Sequence, residues 1–156
     1  MMIGNILADE HIRDLVQSGG LKILSTESSQ LAYSYLVKHF PIHSIETTSI
    51  IDWKRVIHHN VLDWAQSTDD EAAIWSKKTL AGNCSLGMLF YSKTDPSVLG
   101  PFEFMIRNLD TLIWGYPGCK LLFGVEKSEH GTLVFTSGII ETDGNEYLFA
   151  SQAETS

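Results

Sequence analysis

Apolar residues first recur at helical spacing between Ile6 and Gln17, where Leu7, Ala8, Ile12, Leu15 and Val16 share one face. Asp9 and Glu10 stand early in this segment, where the positive end of a helix dipole favours carboxylates, and Gly19 and Gly20 stop it. Leu21 to Thr26 alternates as a short strand. A second helix is predicted from about Ser28 to Phe40, with Ala32, Tyr33, Leu36, Val37 and Phe40 as its stripe and Pro41 as its end. The Ile, Thr and Ser of Ile42 to Ile51 fit an edge strand. Trp53, Val56, Ile57, Val61 and Trp64 then predict a third helix, weakest at His58, His59 and Asn60. A fourth begins at Thr68, whose spacing to Glu71 is that of a capping box, and Gly82 closes it.

The second half of the chain changes character. Cys84 to Ser92 is a short apolar run bounded by turn residues and reads as a buried strand, and Lys93 to Gly100 reads as a loop. Pro101 opens a helix that places Phe102, Met105, Ile106, Leu109, Leu112 and Ile113 on one face. Three strands follow, Lys120 to Lys127, Thr132 to Glu141 and Asn145 to Ser151, the last two joined at the turn-forming Asp143-Gly144 step. The pattern predicts an α+β fold, with a helical N-terminal half packed on a C-terminal, mainly antiparallel sheet of about four strands carrying one inserted helix. With 156 residues and no linker composition, a single domain over 1–156 is expected.

Composition narrows the function classes. Hydrophobic residues make up 44% of the chain, enough for a core without disulfides or metal, so Cys84 and Cys119 in their apolar settings read as reduced thiols. No basic start leads into an apolar run, and no apolar stretch reaches the ~18 residues of a membrane span, so a cytoplasmic protein without a membrane partner is expected. The net charge of −8 opposes nucleic-acid binding, which relies on clusters of Lys and Arg. That charge is uneven: from Pro101 onward eight acids face three bases, Arg107, Lys120 and Lys127. The favoured partner is therefore a basic protein.

Candidate chemistry is sparse. His39 with His43 spans Pro41, and adjacent His58 and His59 on a helix would point about 100° apart, so neither pair makes a metal site, and no cofactor is expected. Nucleophile elbows and phosphate-binding glycine loops are missing. Cys84, at a loop-to-strand junction, is a nucleophile only if His58 or His59 reaches it and lowers its pKa. Asp69, Asp70 and Glu71 have a sufficient role at a helix start. Glu129, Glu141, Asp143 and Glu146 gather at hairpin turns and are the candidate negative rim. Trp114 and Tyr116, flanking Gly115 before Pro117 and Gly118, are the candidate aromatic anchors beside it.

Small, acidic, single-domain and without catalytic motifs, the chain resembles bacterial immunity proteins that neutralise the toxins of contact-dependent growth inhibition systems. The resemblance implies an inhibitor that acts by direct binding to a basic toxin, such as a nuclease, and needs no chemistry of its own. Two rivals are a small-ligand binding domain, with an apolar pocket between the Phe102–Ile113 helix and the sheet, and an enzyme using Cys84 with a histidine.

Overall fold

The chain alternates short helices and strands: α1 Glu10–Gly19, β1 Lys22–Ile23, α2 Thr26–His39, β2 Ile42–Ile45, β3 Thr48–Ile51, β4 His59–Asp63, α3 Asp69–Ser76, β5 Leu86–Phe90, β6 Val98–Pro101, α4 Phe102–Arg107, α5 Leu109–Ile113, β7 Lys120–Lys127, β8 Leu133–Thr142 and β9 Tyr147–Ser151. Single 3₁₀ turns occupy 53–55, 64–66 and 81–83. These come from a computed structural model that describes residues 9–45, 48–56, 59–92, 95–113, 116, 119–142 and 146–151. Among the described residues, no helix is long and apolar enough to cross a membrane.

Seven strands form one sheet in the order β1-β6-β5-β7-β8-β9-β4, every neighbouring pair antiparallel, and β2 and β3 form a separate hairpin. The expected sheet of about four C-terminal strands is therefore wrong, as is the helical N-terminal half packed on it, since β1 and β4 come from that half. The predicted third helix is a 3₁₀ turn at Trp53–Arg55 followed by strand β4, the far edge of the sheet. Its apparent helical spacing joined residues of three different elements. Within β4 itself exposure alternates with period two, His59, Val61 and Asp63 outward and Asn60 and Leu62 half-buried, which is the strand signature. The predicted loop before Pro101 contains β6, and β1 supplies the other edge from the N-terminal half.

Other expectations hold locally. Thr68 and Glu71 form the capping box, with Glu71 N–H donating to Thr68 Oγ1 and Thr68 N–H to Glu71 Oε1, both at 3.1 Å. The helix it opens ends at Ser76, well before Gly82, as the Ser76 and Thr79 hydroxyls donate to the Ala73 and Ser76 carbonyls. The helix after Pro101 breaks into α4 and α5 at Asn108, whose side-chain amide donates to the Phe104 carbonyl at 2.9 Å. The C-terminal meander of β7, β8 and β9 forms as predicted.

Alternate residues of the central strands feed two cores. Leu89, Leu122, Ile140 and Leu148 face α1, α3, α4 and α5, where they meet Ile12, Ala73, Met105, Ile106, Leu109 and Leu112. Met88, Phe90, Leu121, Phe123 and Ile139 face the other way, toward Ala32 and Leu36 of α2 and Ile51 of the hairpin. The sheet thus lies between a helical layer and a mixed layer of α2 with β2–β3.

On the helical side, the 81–83 turn presses directly on the backbone of β7 and β8. Here β8 bulges opposite Gly124, since the register steps from Phe123↔Ile139 to Val125↔Phe135. A Cβ on Gly138 would lie 2.3 Å from the Ala81 nitrogen, and one on Gly124 would lie 2.6 Å from Cys84 Sγ. Neither position has room for a side chain. Gly138→Ala is expected to destabilise the fold by about 1–3 kcal/mol through overpacking, read as a lower urea midpoint. An unchanged midpoint would show that the turn shifts freely.

Candidate functional site

The antiparallel meander decides where the candidate acids stand. Glu129 is exposed in the turn between β7 and β8, and Glu146 is exposed in the turn between β8 and β9. These turns lie at opposite ends of β8, whose ten residues at about 3.3 Å each separate them by roughly 30 Å. Asp143 and Trp114 lie outside the described residues. Glu141 is only 6% exposed and points into the mixed layer, where its Oε2 accepts from Ile51 N–H at 2.6 Å and its Oε1 from the Trp53 indole N–H at 3.1 Å. It clamps the β2–β3 hairpin and the 53–55 turn to β8. The described residues of the candidate rim, Glu129, Glu141 and Glu146, therefore do not come together as one surface.

Tyr116 is also buried, at 8% exposure. Its hydroxyl donates to Asp9 Oδ2 at 2.8 Å, while Asp9 Oδ1 accepts from His11 and Ile12 N–H and so caps α1. The Tyr91 ring packs against it at 5.0 Å, and the Tyr91 hydroxyl donates to the Leu112 carbonyl at 2.6 Å. Burial first, and Asp9 second, push the Tyr116 pKa far up, and burial does the same for Tyr91. This pair anchors the start of α1 to the end of α5.

Other exposed acids lie on segments joined by a backbone hydrogen bond. Ala65 N–H donates to the Glu146 carbonyl at 3.0 Å, which ties the turn before α3 to the β8–β9 turn. The start of α3, with exposed Asp69, Asp70 and Glu71, thereby shares one end of the molecule with exposed Glu146. Asp70 pairs with Arg107, which also reaches Glu103 at 3.5 Å, and Glu103 pairs with Lys77 at 2.7 Å. Lys77 holds the Glu103 carboxyl below its usual range. That network pairs Asp70 with a base, and Asp69, Glu71 and Glu146 are the other exposed acids at this end. Sequence reasoning assigned the α3 acids to the helix dipole alone, because only the fold brings Glu146 to them.

Cys84 is half-buried, 3.7 Å from the Leu80 carbonyl and 3.4 Å from the Thr136 hydroxyl. Burial raises its pKa and outweighs the Thr136 hydrogen bond, which lowers it, and nearby Glu126 adds a lesser rise. A cysteine nucleophile needs the opposite shift. His59 is engaged elsewhere: its Nδ1 donates to the Val56 carbonyl at 2.9 Å and its ring packs on Trp53 at 5.7 Å. His58 lies outside the described residues.

The helix pair that was to wall a ligand pocket packs tightly instead, with Phe102, Met105, Ile106, Leu109 and Leu112 at most 2% exposed. An open apolar groove of about 610 Å³ lies on the other side of the sheet, between α2 and β8, lined by Leu24, Leu31, Tyr35, Met88, Val134 and Phe135 among others. Leu31 at 69% and Val134 at 47% exposure mark its rims. The α2 stripe read from sequence omitted Leu31, which falls on the opposite side of that helix from Leu36.

No known protein family, curated protein or solved structure matches this chain.

Two stability predictions follow from these contacts. Glu141→Ala leaves the Ile51 and Trp53 donors without their acceptor and is expected to cost about 1–3 kcal/mol in urea unfolding, with Glu141→Gln costing less because one acceptor oxygen remains. The raised tyrosines act at high pH. The folded state holds protons that the unfolded chain releases near pH ~10, so their contribution is intact below that pH and falls away as pH rises above it. Unfolding free energies measured from pH ~8 to ~11 should therefore drop more steeply for the wild type than for Tyr116→Phe.

Proposed function

We propose that this protein is an inhibitor that binds a basic protein, of the kind that immunity proteins form with antibacterial toxins, and that the corner of Asp69, Glu71 and Glu146 is its contact surface. The observation that supports the reading is the Ala65 N–H to Glu146 carbonyl hydrogen bond, which ties the turn before α3, a helix that opens with exposed Asp69 and Glu71, to exposed Glu146. On a chain of net charge −8, such a corner concentrates negative potential, and a cationic partner gains association rate and orientation from it. A nuclease is a suitable target, because the groups that grip phosphate present positive charge. Covering its active site or an adjoining surface suffices for inhibition.

The groove between α2 and β8 favours a second reading, a binding domain for a small apolar ligand, since its volume falls in the range of ligand sites. One experiment separates the two. The chain is co-expressed with a basic toxin nuclease, taken from a neighbouring reading frame where one encodes it, scored for growth protection, and the purified pair is followed by stopped flow at about 50 and 300 mM salt. Protection is expected, with association slowing at least tenfold at the higher salt as Debye screening shortens. Asp69→Asn with Glu146→Gln should remove most of that salt dependence, whereas Leu31→Asp with Val134→Asp should leave it intact. Salt-insensitive association, or protection lost only with the groove variant, would overturn the charged-corner reading.

A further inference from the structure

Among the described residues, strand β4 ends the sheet, with β9 on one side of it. Its backbone alternates in direction along the strand. Val61 N–H donates to the side-chain oxygen of Asn60 at 2.8 Å, so this amide is turned away from β9, and His59 and Asp63, two positions to either side, share its outward orientation. The side chains at these three positions also share one face of the sheet, beside their register partners Ser151, Phe149 and Tyr147. Val61 is 45% and Tyr147 40% exposed, and Trp53 stacks on Phe149 at 5.9 Å. An apolar strip thus runs to the open rim, bounded by an imidazole at one end of the strand and a carboxylate at the other.

We propose that β4 pairs antiparallel with β4 of a second copy of this chain, with Val61 of both copies on the two-fold axis. Full overlap of a five-residue strand with itself allows this one register. It sets Val61 against Val61 of the partner subunit and places His59 opposite Asp63 of the partner subunit, twice per dimer. The strand is self-complementary in shape and in charge. Because Nδ1 of His59 donates to Val56, its Nε2 is the atom left for the partner carboxylate. A slip by two residues would set His59 or Asp63 against Val61 and lose both charge pairs. The Asn60 side chain competes with the dimer, since the carbonyl of Val61 of the partner subunit must replace it as the acceptor of the Val61 amide.

This inference is independent of the inhibitor reading, because Asp63 is not part of the proposed corner and the test uses the chain alone. Sedimentation velocity at about pH 6, over about 1–500 µM, should show a reversible shift from 17.4 kDa toward twice that mass. His59→Asp and Asp63→His each set like groups opposite one another at two places and should weaken dimerisation about tenfold, and the double swap should return it to within about threefold of wild type. Val61→Pro removes an outward donor while sparing the β9 ladder and should give monomer, and Asn60→Ala should tighten the dimer. Circular dichroism checks that each variant folds, and the charge swap decides the matter if Val61→Pro does not. A chain that stays monomeric throughout, or a dimer unmoved by the single charge variants, would overturn the proposal.

Discussion

Strands β5 and β7 are apolar on both faces, and burying both at once is the constraint from which the rest of the architecture follows. A sheet of this kind needs two covers. α1, α3, α4 and α5 supply one over Leu89, Leu122 and Ile140, and α2 with the β2–β3 hairpin supplies the other over Met88, Phe90, Leu121 and Phe123. Each cover has to be held in place. The buried Glu141 carboxylate, taking hydrogen bonds from Ile51 and Trp53, fixes the position of the β2–β3 hairpin. On the opposite side, Gly124 and Gly138 let the 81–83 turn reach the backbone of the sheet, and Asp9 links the start of α1 to Tyr116.

This arrangement explains why polar residues chosen for function turn out to hold the fold. Glu141 and Tyr116 sit where chain segments distant in sequence meet, and there a charged or hydroxyl group satisfies donors and acceptors that an apolar side chain would leave buried and unpaired. In sequence, a carboxylate one residue before a turn looks like a solvated loop acid. Its true neighbours lie 90 positions away, beyond the reach of local pattern.

Legibility follows the same division. Elements defined by local signals were readable: the Thr68–Glu71 box, the glycine stop after α1, and the β7–β8–β9 meander, whose predicted Asp143-Gly144 step lies outside the described residues. Elements defined by their neighbours were not. β4 is strand because it pairs with β9 residue by residue from His59 to Asp63, and its own residues, interleaved with Trp53 and Trp64 of adjacent turns, mimic a helical period. β6 is four residues containing glycine and proline, a composition that reads as loop until β5 and β1 are set on either side of it. Of the candidate site, exposure of Glu129 and Glu146 agrees with their turn positions, whereas their separation by the length of β8 depends on topology alone.

The distribution of charge shows how one chain can carry both proposed interactions without interference. Asp70 is drawn into the Arg107–Glu103–Lys77 network between α3 and α4, where it joins two helices of one layer. Asp63 belongs instead to the rim of β4, whose opposite end is closed by His59. That rim is polar at both ends and apolar between them, a pattern that a long-range electrostatic partner does not require but a strand of the same sequence, running the other way, satisfies in full. Long-range attraction acts on net charge and weakens with salt, while strand pairing acts on register at contact distance. The two surfaces therefore answer to different physics.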